Sequence, residues 1–416
     1  MHHIFQGESM RQIVWRYSRC LKFLLCSAVL AITVGCSSVP RQAEPPGSAG
    51  TASIAGFTDI RYMVFTHPEA VRTMLKEAYA EETADCYEVQ PDGTRVYNYL
   101  AVSGGGSDGA FGAGLLNGWT KVGGRPKFKV VTGVSTGALI APFAFLGSKY
   151  DETLKKAYTT VDQSRVFVVH SLLSILWQES LTDTAPLREM VASFIDDKVL
   201  ADIAIEHAKG RRLLVASTNL DAEEPVVWDL GAIASSNAKN KLQLFRSILV
   251  ASAAIPAVFP PVMFEVEVDG KKYDEMHVDG GVFFQSFSIG SIIDLPSTIK
   301  NAHPEYTGKF TQRLYVIRNG RITPDPKQVE RGLSSIAVRA IGSMFKVSGI
   351  NDLWRLYLST IHDEIEFRYI AIPLEYEGTT EQQFNEAEMI NQYKYGEKLA
   401  SQGIPWMTTP PGYAIK

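Results

Sequence analysis

Short apolar runs alternate along this chain with segments of helical period, and glycine-rich turns separate them. Tyr97 to Val102, Phe128 to Thr132, Leu213 to Ser217, Val226 to Trp228, Leu314 to Ile317 and Tyr369 to Ile372 read as buried strands. Lys272 to Met276 reads as a further strand-like segment. Val71, Met74, Leu75, Ala78 and Tyr79 recur at helical spacing. They follow Thr66-His67-Pro68-Glu69, which predicts a helix capped by Thr66 and closed by Glu69 in a capping box. Ala138 to Ala141 opens another helix. Apolar strands interleaved with helices predict an α/β fold, with a mainly parallel sheet covered on both faces in one elaborated domain. The chain shows no internal repeat.

Two of the turns carry candidate chemistry. Gly133-Val134-Ser135-Thr136-Gly137 lies between a strand and a helix, the context in which G-x-S-x-G lifts a serine hydroxyl to the end of a sheet. Ser103-Gly104-Gly105-Gly106-Ser107-Asp108-Gly109 joins a strand to the helix opened by Ala110 to Leu116. Three successive glycines let consecutive N–H groups face one point, and the helix adds its positive end. Such a nest suits a phosphate or the oxyanion of an acyl intermediate, and a turn needed only for close packing fits equally. No Gly-Lys-Ser/Thr follows, which argues against a P-loop. Downstream, His277-Val278-Asp279-Gly280-Gly281 puts an aspartate before two glycines, either as a plain turn or as the acid partner of Ser135.

In this order the three segments resemble the patatin-like phospholipase family, which carries a glycine-rich oxyanion loop, then G-x-S-x-G, then D-G-G or D-G-A. Ala251 to Pro261 is similar to that family's A-S-x-A-x-P-x-x-F-P-P segment. Phe384 to Ala400, with Met389, Tyr393, Gly396 and Ala400, resembles its closing amphipathic helix. The resemblance implies a three-layer α/β/α fold that hydrolyses lipid acyl esters without a metal or other cofactor. It implies Ser135 as nucleophile, Asp279 as its base, and the N–H groups of Gly104, Gly105 and Gly106 as oxyanion donors. Two positions depart from the family pattern. Asp108 stands where many members have Arg or Lys, which puts a preference for anionic head groups in doubt. Gln285-Ser286-Phe287 stands where many have Asn-x-Pro, in the loop that holds Asp279.

An ordinary carboxylate, with a pKa of about 3.9, is a poor base toward serine. Desolvation in a lipid-binding cleft would raise it. The ordinary hydrolase order, with histidine last, nominates His303 or His362, but neither sits at an evident strand end. His277 shares an extended face with Asp279 and is an accessory candidate.

At the N-terminus, Arg11, Arg16, Arg19 and Lys22 precede the apolar run Phe23 to Val34, too short to span a membrane. The run ends in Gly35-Cys36-Ser37, which resembles a bacterial lipobox with an outer-membrane sorting residue. The expected organisation is a lipoprotein signal peptide over 1–35, with Met10 an alternative start. Acylated Cys36 would follow, then a flexible Ser/Pro/Gly/Ala tether over 36–56 and a hydrolase domain over 57–416. Removing the leader's four basic residues and one acidic residue leaves (41 − 4) − (45 − 1) = −7, with no basic tract for nucleic acid. Cys86 is the one cysteine left unmodified, so no disulfide framework is expected, and no Cys/His cluster suggests zinc. Leu172 to Trp177 reads as a buried helix or a membrane-touching lid. The expected function is a phospholipase A-type acyl hydrolase anchored to the bacterial envelope membrane through its N-terminal lipid. The alternatives are a carboxylesterase on neutral or small esters and a noncatalytic lipid-binding lipoprotein.

Overall fold

The computed structural model describes residues 40–160, 164, 166, 168–169, 180, 182–289, 294–380 and 382–413. The leader, Cys36, His170 and the Leu172 to Trp177 segment lie outside the described residues.

The strands are β1 (Arg61–Met63), β2 (Glu88–Val89), β3 (Arg95–Val102), β4 (Val130–Val134), β5 (Val168–Val169), β6 (Thr182–Asp183), β7 (Arg212–Asn219), β8 (Glu224–Asp229), β9 (Val262–Val268), β10 (Lys271–Asp279), β11 (Phe310–Arg318) and β12 (Glu366–Ala371). The helices are α1 (Pro68–Ala80), α2 (Gly109–Lys121), α3 (Thr136–Leu146), α4 (Asp151–Thr159), α5 (Ala185–Phe194), α6 (Asp197–Ala208), α7 (Leu230–Ser235), α8 (Lys241–Ser252), α9 (Leu295–Ala302), α10 (Leu333–His362) and α11 (Glu386–Ser401).

Among the described residues ten strands form one sheet, with the main order β1-β8-β7-β4-β3-β11-β12. The five from β7 to β12 run parallel, and β8 and β1 close one edge antiparallel. Alternate strand residues enter separate cores. Leu100, Val102, Val131 and Ile317 meet α2, α3 and α11 on one face. Tyr99, Ala101, Val130 and Val316 meet α1 and α10 on the other. That makes the predicted three layers.

Helix α1 buries the five expected residues, but its capping differs from expectation. Thr66 does not cap it. Its hydroxyl and N–H, with the N–H of Phe65, donate to the carboxylate of Glu224 in β8. Glu69 pairs with Arg72 instead of closing a capping box. A carboxylate delivered by the sheet outcompetes the local cap, because a charged acceptor makes the stronger hydrogen bond.

The expected tether is not loose from residue 40 onward. Ala43 bridges to Asp274, Ser53 and Glu267 exchange backbone hydrogen bonds, and Arg41 pairs with Asp221. Ala49, Ala52 and Ile54 are buried in the core. Small residues let an extended chain lie close against the β9–β10 hairpin, which composition cannot anticipate. The folded part therefore starts before residue 57.

Candidate active site

Chain connectivity brings Ser135 and Asp279 together on one edge of β7. Strand β4 covers β7 up to the pair Val134–Ala216. There β4 turns away, and β10 takes over the same edge, pairing Asp279 with Ser217. The residue after Val134 and the last residue of β10 therefore meet. Ser135 has φ 55° and ψ −126°, a strained turn that leads straight into α3. The flanking glycines are sterically required. A Cβ at Gly133 would lie 2.4 Å from the Gly137 carbonyl oxygen, and one at Gly137 would lie 2.1 Å from that of Val102.

The Ser135 hydroxyl donates to Asp279 Oδ2 at 2.6 Å. Asp279 Oδ1 accepts from the Gly281 N–H at 2.7 Å, which aims the free oxygen at serine. The segment after α8 supplies the frame. Ser252 Oγ accepts from the Ser135 N–H at 3.0 Å and donates to the Ala216 carbonyl at 2.6 Å. The Ala254 carbonyl accepts from the Asp279 N–H at 2.8 Å. Burial pushes Asp279 up to about 7, against the hydrogen bonds from Ser135 and Gly281, which pull it down. That value suits a group that must exchange a proton near neutrality.

The glycine loop leaves β3 beside this pair. Its three expected donors are not equivalent. The Gly104 N–H already donates to the Gln285 carbonyl at 2.9 Å, so it does not serve as an oxyanion donor in this arrangement. No acceptor engages the N–H of Gly105 or Gly106 among the described residues. A Cβ at Gly105 would lie 1.8 Å from the Asn319 carbonyl oxygen, and Gly106 has φ 59°. The N–H of Thr136, first residue of α3, is a further candidate donor.

Arg318, at the end of β11, is a residue that sequence reasoning missed. Its buried guanidinium donates to Ser103 Oγ, the Gly104 carbonyl and Gln285 Oε1 at 3.1–3.3 Å. Burial holds its pKa below the usual arginine range, opposed by Asp108 and Asp352. Gln285 completes the clamp. Its side chain donates to the Gly281 carbonyl, and its N–H donates to Asp352 of α10. The glycine loop and the Asp279 loop are thus joined through one glutamine. Asp108 is half-buried, accepts from Gln392 of α11, and has its pKa raised by desolvation. Arg318, from a different strand, thus places a positive charge beside the glycine loop.

Two recesses flank the loop. An apolar one opens on Ser135 and is lined by Leu139, Phe143, Leu187, Val191, Leu249, Ile255, Phe259, Phe384 and Met389. A polar basin of about 570 Å³ lies beyond Ser107 and Asp108, lined by Arg321, Lys346, Glu377 and Gln392 among others. Gly106 lines the first and Ser107 the second, so the loop forms part of the wall between them.

Each histidine among the described residues has partners away from Ser135. Trp228 donates to Ser217 Oγ, which leaves the serine proton for His277 Nδ1 and puts the ring proton on Nε2, facing Glu275. Burial lowers the pKa of His277, against the pull of Glu275, and its ring is packed in the core away from Ser135. His303 faces Glu82 and Glu305, His362 faces Asp363, His207 faces Asp229, and His67 faces Thr66.

No curated protein sequence matches the chain. Among solved structures it is similar to VipD from Legionella pneumophila, at 13% identity over 76% of this chain and 69% of that one, with a TM-score of 0.35. It is also similar to human GIVD cytosolic phospholipase A2, at 11% identity over 67% of this chain and 49% of that one, with a TM-score of 0.26. Both likenesses are loose, and the chain spans about half the length of the second. The family profile described as patatin-like phospholipase matches residues 100–287, a span that opens in β3 and holds the glycine loop, Ser135 and Asp279. Over those residues the chain is similar to the patatin-like phospholipase family.

Proposed function

We propose that the protein is a lipid acyl hydrolase working through an acyl-enzyme on Ser135. The observation that carries this reading is the 2.6 Å contact from Ser135 Oγ to Asp279 Oδ2 at the mouth of an apolar recess. The acyl chain lies in that recess and presents its ester carbonyl to Ser135. As Oγ attacks the carbonyl carbon, its proton passes to Asp279. The oxyanion is held by the N–H groups of Gly105 and Gly106. The intermediate collapses, the carbon–oxygen bond to the leaving alcohol breaks, and Asp279 returns the proton to that oxygen. Water then attacks the acyl-enzyme with Asp279 again as base, the acyl carbon–Oγ bond breaks, Asp279 returns the proton to Ser135 Oγ, and the fatty acid leaves. Arg318 and Gln285 hold the donor loop in place, because a small misplacement of positioned groups costs about 10²-fold in rate. The match to a phospholipase family supports glycerophospholipid as the substrate class. We place the enzyme at the bacterial envelope, anchored through Cys36. Mass spectrometry of the mature N-terminus tests that assignment, and an unmodified Cys36 refutes it.

The catalytic test compares wild type with Ser135→Ala and Asp279→Asn. Fatty-acid release is followed from phosphatidylglycerol vesicles, glyceride emulsion and a short-chain p-nitrophenyl ester. Loss in both folded variants supports the dyad, and the preferred substrate separates phospholipase from esterase. Activity surviving Ser135→Ala sinks the assignment.

A further inference from the structure

Helix α10 runs from Leu333 to His362, far longer than its neighbours, and only part of its circumference is packed. Leu353 and Leu356 are fully buried, in the core beneath the sheet. Ile336 is 55% exposed, Met344 69%, Val347 54%, Leu358 58% and Ile361 55%. At 100° per residue these five fall within a sector of about 100°, on the side away from Leu353 and Leu356, and they span about 38 Å of helix. Among the described residues Tyr413 packs on Trp354 within this sector, and the five side chains above stay exposed. Large exposed apolar side chains scattered singly are ordinary, but five in one row along a helix are not.

The charges beside the stripe indicate its occupant. Arg339 and Lys346 lie along one border, each half-buried and donating to a backbone carbonyl, and Arg355 lies along the other, paired with Asp352. The one carboxylate of the helix, Asp352, is buried and spent on the N–H groups of Gln285 and Ser286. With Arg355 paired to that carboxylate, the net charge of α10 comes from Arg339 and Lys346 and is positive, on a chain whose formal net charge is −4. An apolar face bordered by long cationic side chains is the pattern of a helix lying in a lipid interface. Trp354, on the same stripe and packed against Tyr413, adds an amphipathic aromatic. No helix of the described residues is long and apolar enough to cross a membrane, so the stripe suits lying on a bilayer.

We infer that the outer stripe of α10 is the face by which this protein lies on an anionic lipid surface. The inner face of the same helix holds the catalytic loop. Asp352 fixes Gln285, and the Gly349 backbone packs against the Arg318 guanidinium, where a Cβ would lie 2.7 Å from the guanidinium carbon. Docking on α10 thus holds the enzyme at the surface where its substrate resides, while the recess itself lies in the opposite layer, among α3, α5, α8 and α11. This contact is separate from any lipid at Cys36. Only its activity arm rests on the lipid-hydrolase reading, while its binding arm stands without it.

The test uses the full chain with Ser135→Ala, so that no lipid is consumed, and co-sedimentation with phosphatidylglycerol or phosphatidylcholine vesicles. Met344→Glu/Val347→Glu is added to the same background, leaving the N-terminus common to both proteins. The expected result is preference for phosphatidylglycerol and a loss of about tenfold or more in partition for the double variant. With Ser135 restored, the double variant should lose vesicle hydrolysis and keep short-chain ester hydrolysis. Short-chain turnover also shows that it folds. Partition unchanged within about twofold overturns the proposal. So does equal binding to both lipids. If the stripe instead seats a second copy of the chain, sedimentation velocity shows a dimer that the double variant dissociates at unchanged partition, which also overturns it. If no form of the enzyme hydrolyses any ester, the catalytic reading fails while the partition result still decides this one.

Discussion

The two sides of the glycine loop are built by different means. On the Ser135 side, backbone does the positioning. Strands β4 and β10 end against the same point of β7, and glycines at 133 and 137 admit carbonyl oxygens where a Cβ would clash. On the Arg318 side, side chains do it. A buried guanidinium, one glutamine and one aspartate arrive from β11, the loop after β10, and α10. A backbone-built site tolerates little change and fails abruptly. A side-chain-built support can be removed one hydrogen bond at a time, so the two sides should respond differently to substitution.

The largest effect should come from Ser135→Ala. It should lower kcat by about 10⁴-fold or more without lowering thermal stability, since the strained position loses only a hydroxyl. A folded Ser135→Ala with more than a few per cent of activity would contradict the backbone-built dyad. Next, Gly105→Ala should cost about 10²–10³-fold in kcat, because the new methyl would press on the Asn319 carbonyl and displace the donor loop. Gly104→Ala meets only Gln285 Oε1 and Ser135 Cβ, at 3.1 and 3.2 Å, and should cost less. Equal losses would erase the distinction drawn between the two donors. On the other side, Gln285→Ala and Arg318→Gln should each lower kcat by about 10–10²-fold with a smaller change in KM. Arg318→Lys should recover part of that loss. A fall in stability with kcat per folded molecule unchanged would make the clamp purely structural.

The smallest effect should be a pH profile. Asp279 acts as a base only when ionised, so kcat/KM should rise with pH through about 7 and then level off. The linkage runs the opposite way for stability. A buried carboxyl whose folded pKa is raised binds its proton more tightly when folded, so its stabilising contribution is present below about pH 4 and lost as pH rises toward 7. Asp279→Asn should therefore gain thermal stability relative to wild type across that window. A profile centred near pH 4 would mean that Asp279 is solvated in the working enzyme.

The motifs legible in the chain are those whose chemistry is local. G-x-S-x-G, the glycine triplet and D-G-G are short turns whose residue types follow from backbone collisions within a few residues. The strand and helix pattern was readable because Tyr99 and Leu100, or Val130 and Val131, alternate between two cores, and because Met389, Tyr393, Gly396 and Ala400 keep one helix face. The tether and the Thr66 cap went wrong for a shared reason. Ser/Pro/Gly/Ala composition and a capping box are local preferences, and the β9–β10 hairpin and Glu224 offered better partners from far along the chain.

By itself the sequence nominated Ser135, Asp279 and the glycine triplet as the candidate centre, since sterics around each turn restrict what can stand there. It also determined the layered α/β class through its apolar periodicity. Only the tertiary structure decided how these parts work together. It gave the Gly104 N–H to Gln285, paired His277 with Glu275, and delivered Arg318 to a loop whose own charge is the half-buried carboxyl of Asp108. Those outcomes depend on contacts between residues many positions apart, formed when β3 and β11 lie side by side, and no local pattern encodes them.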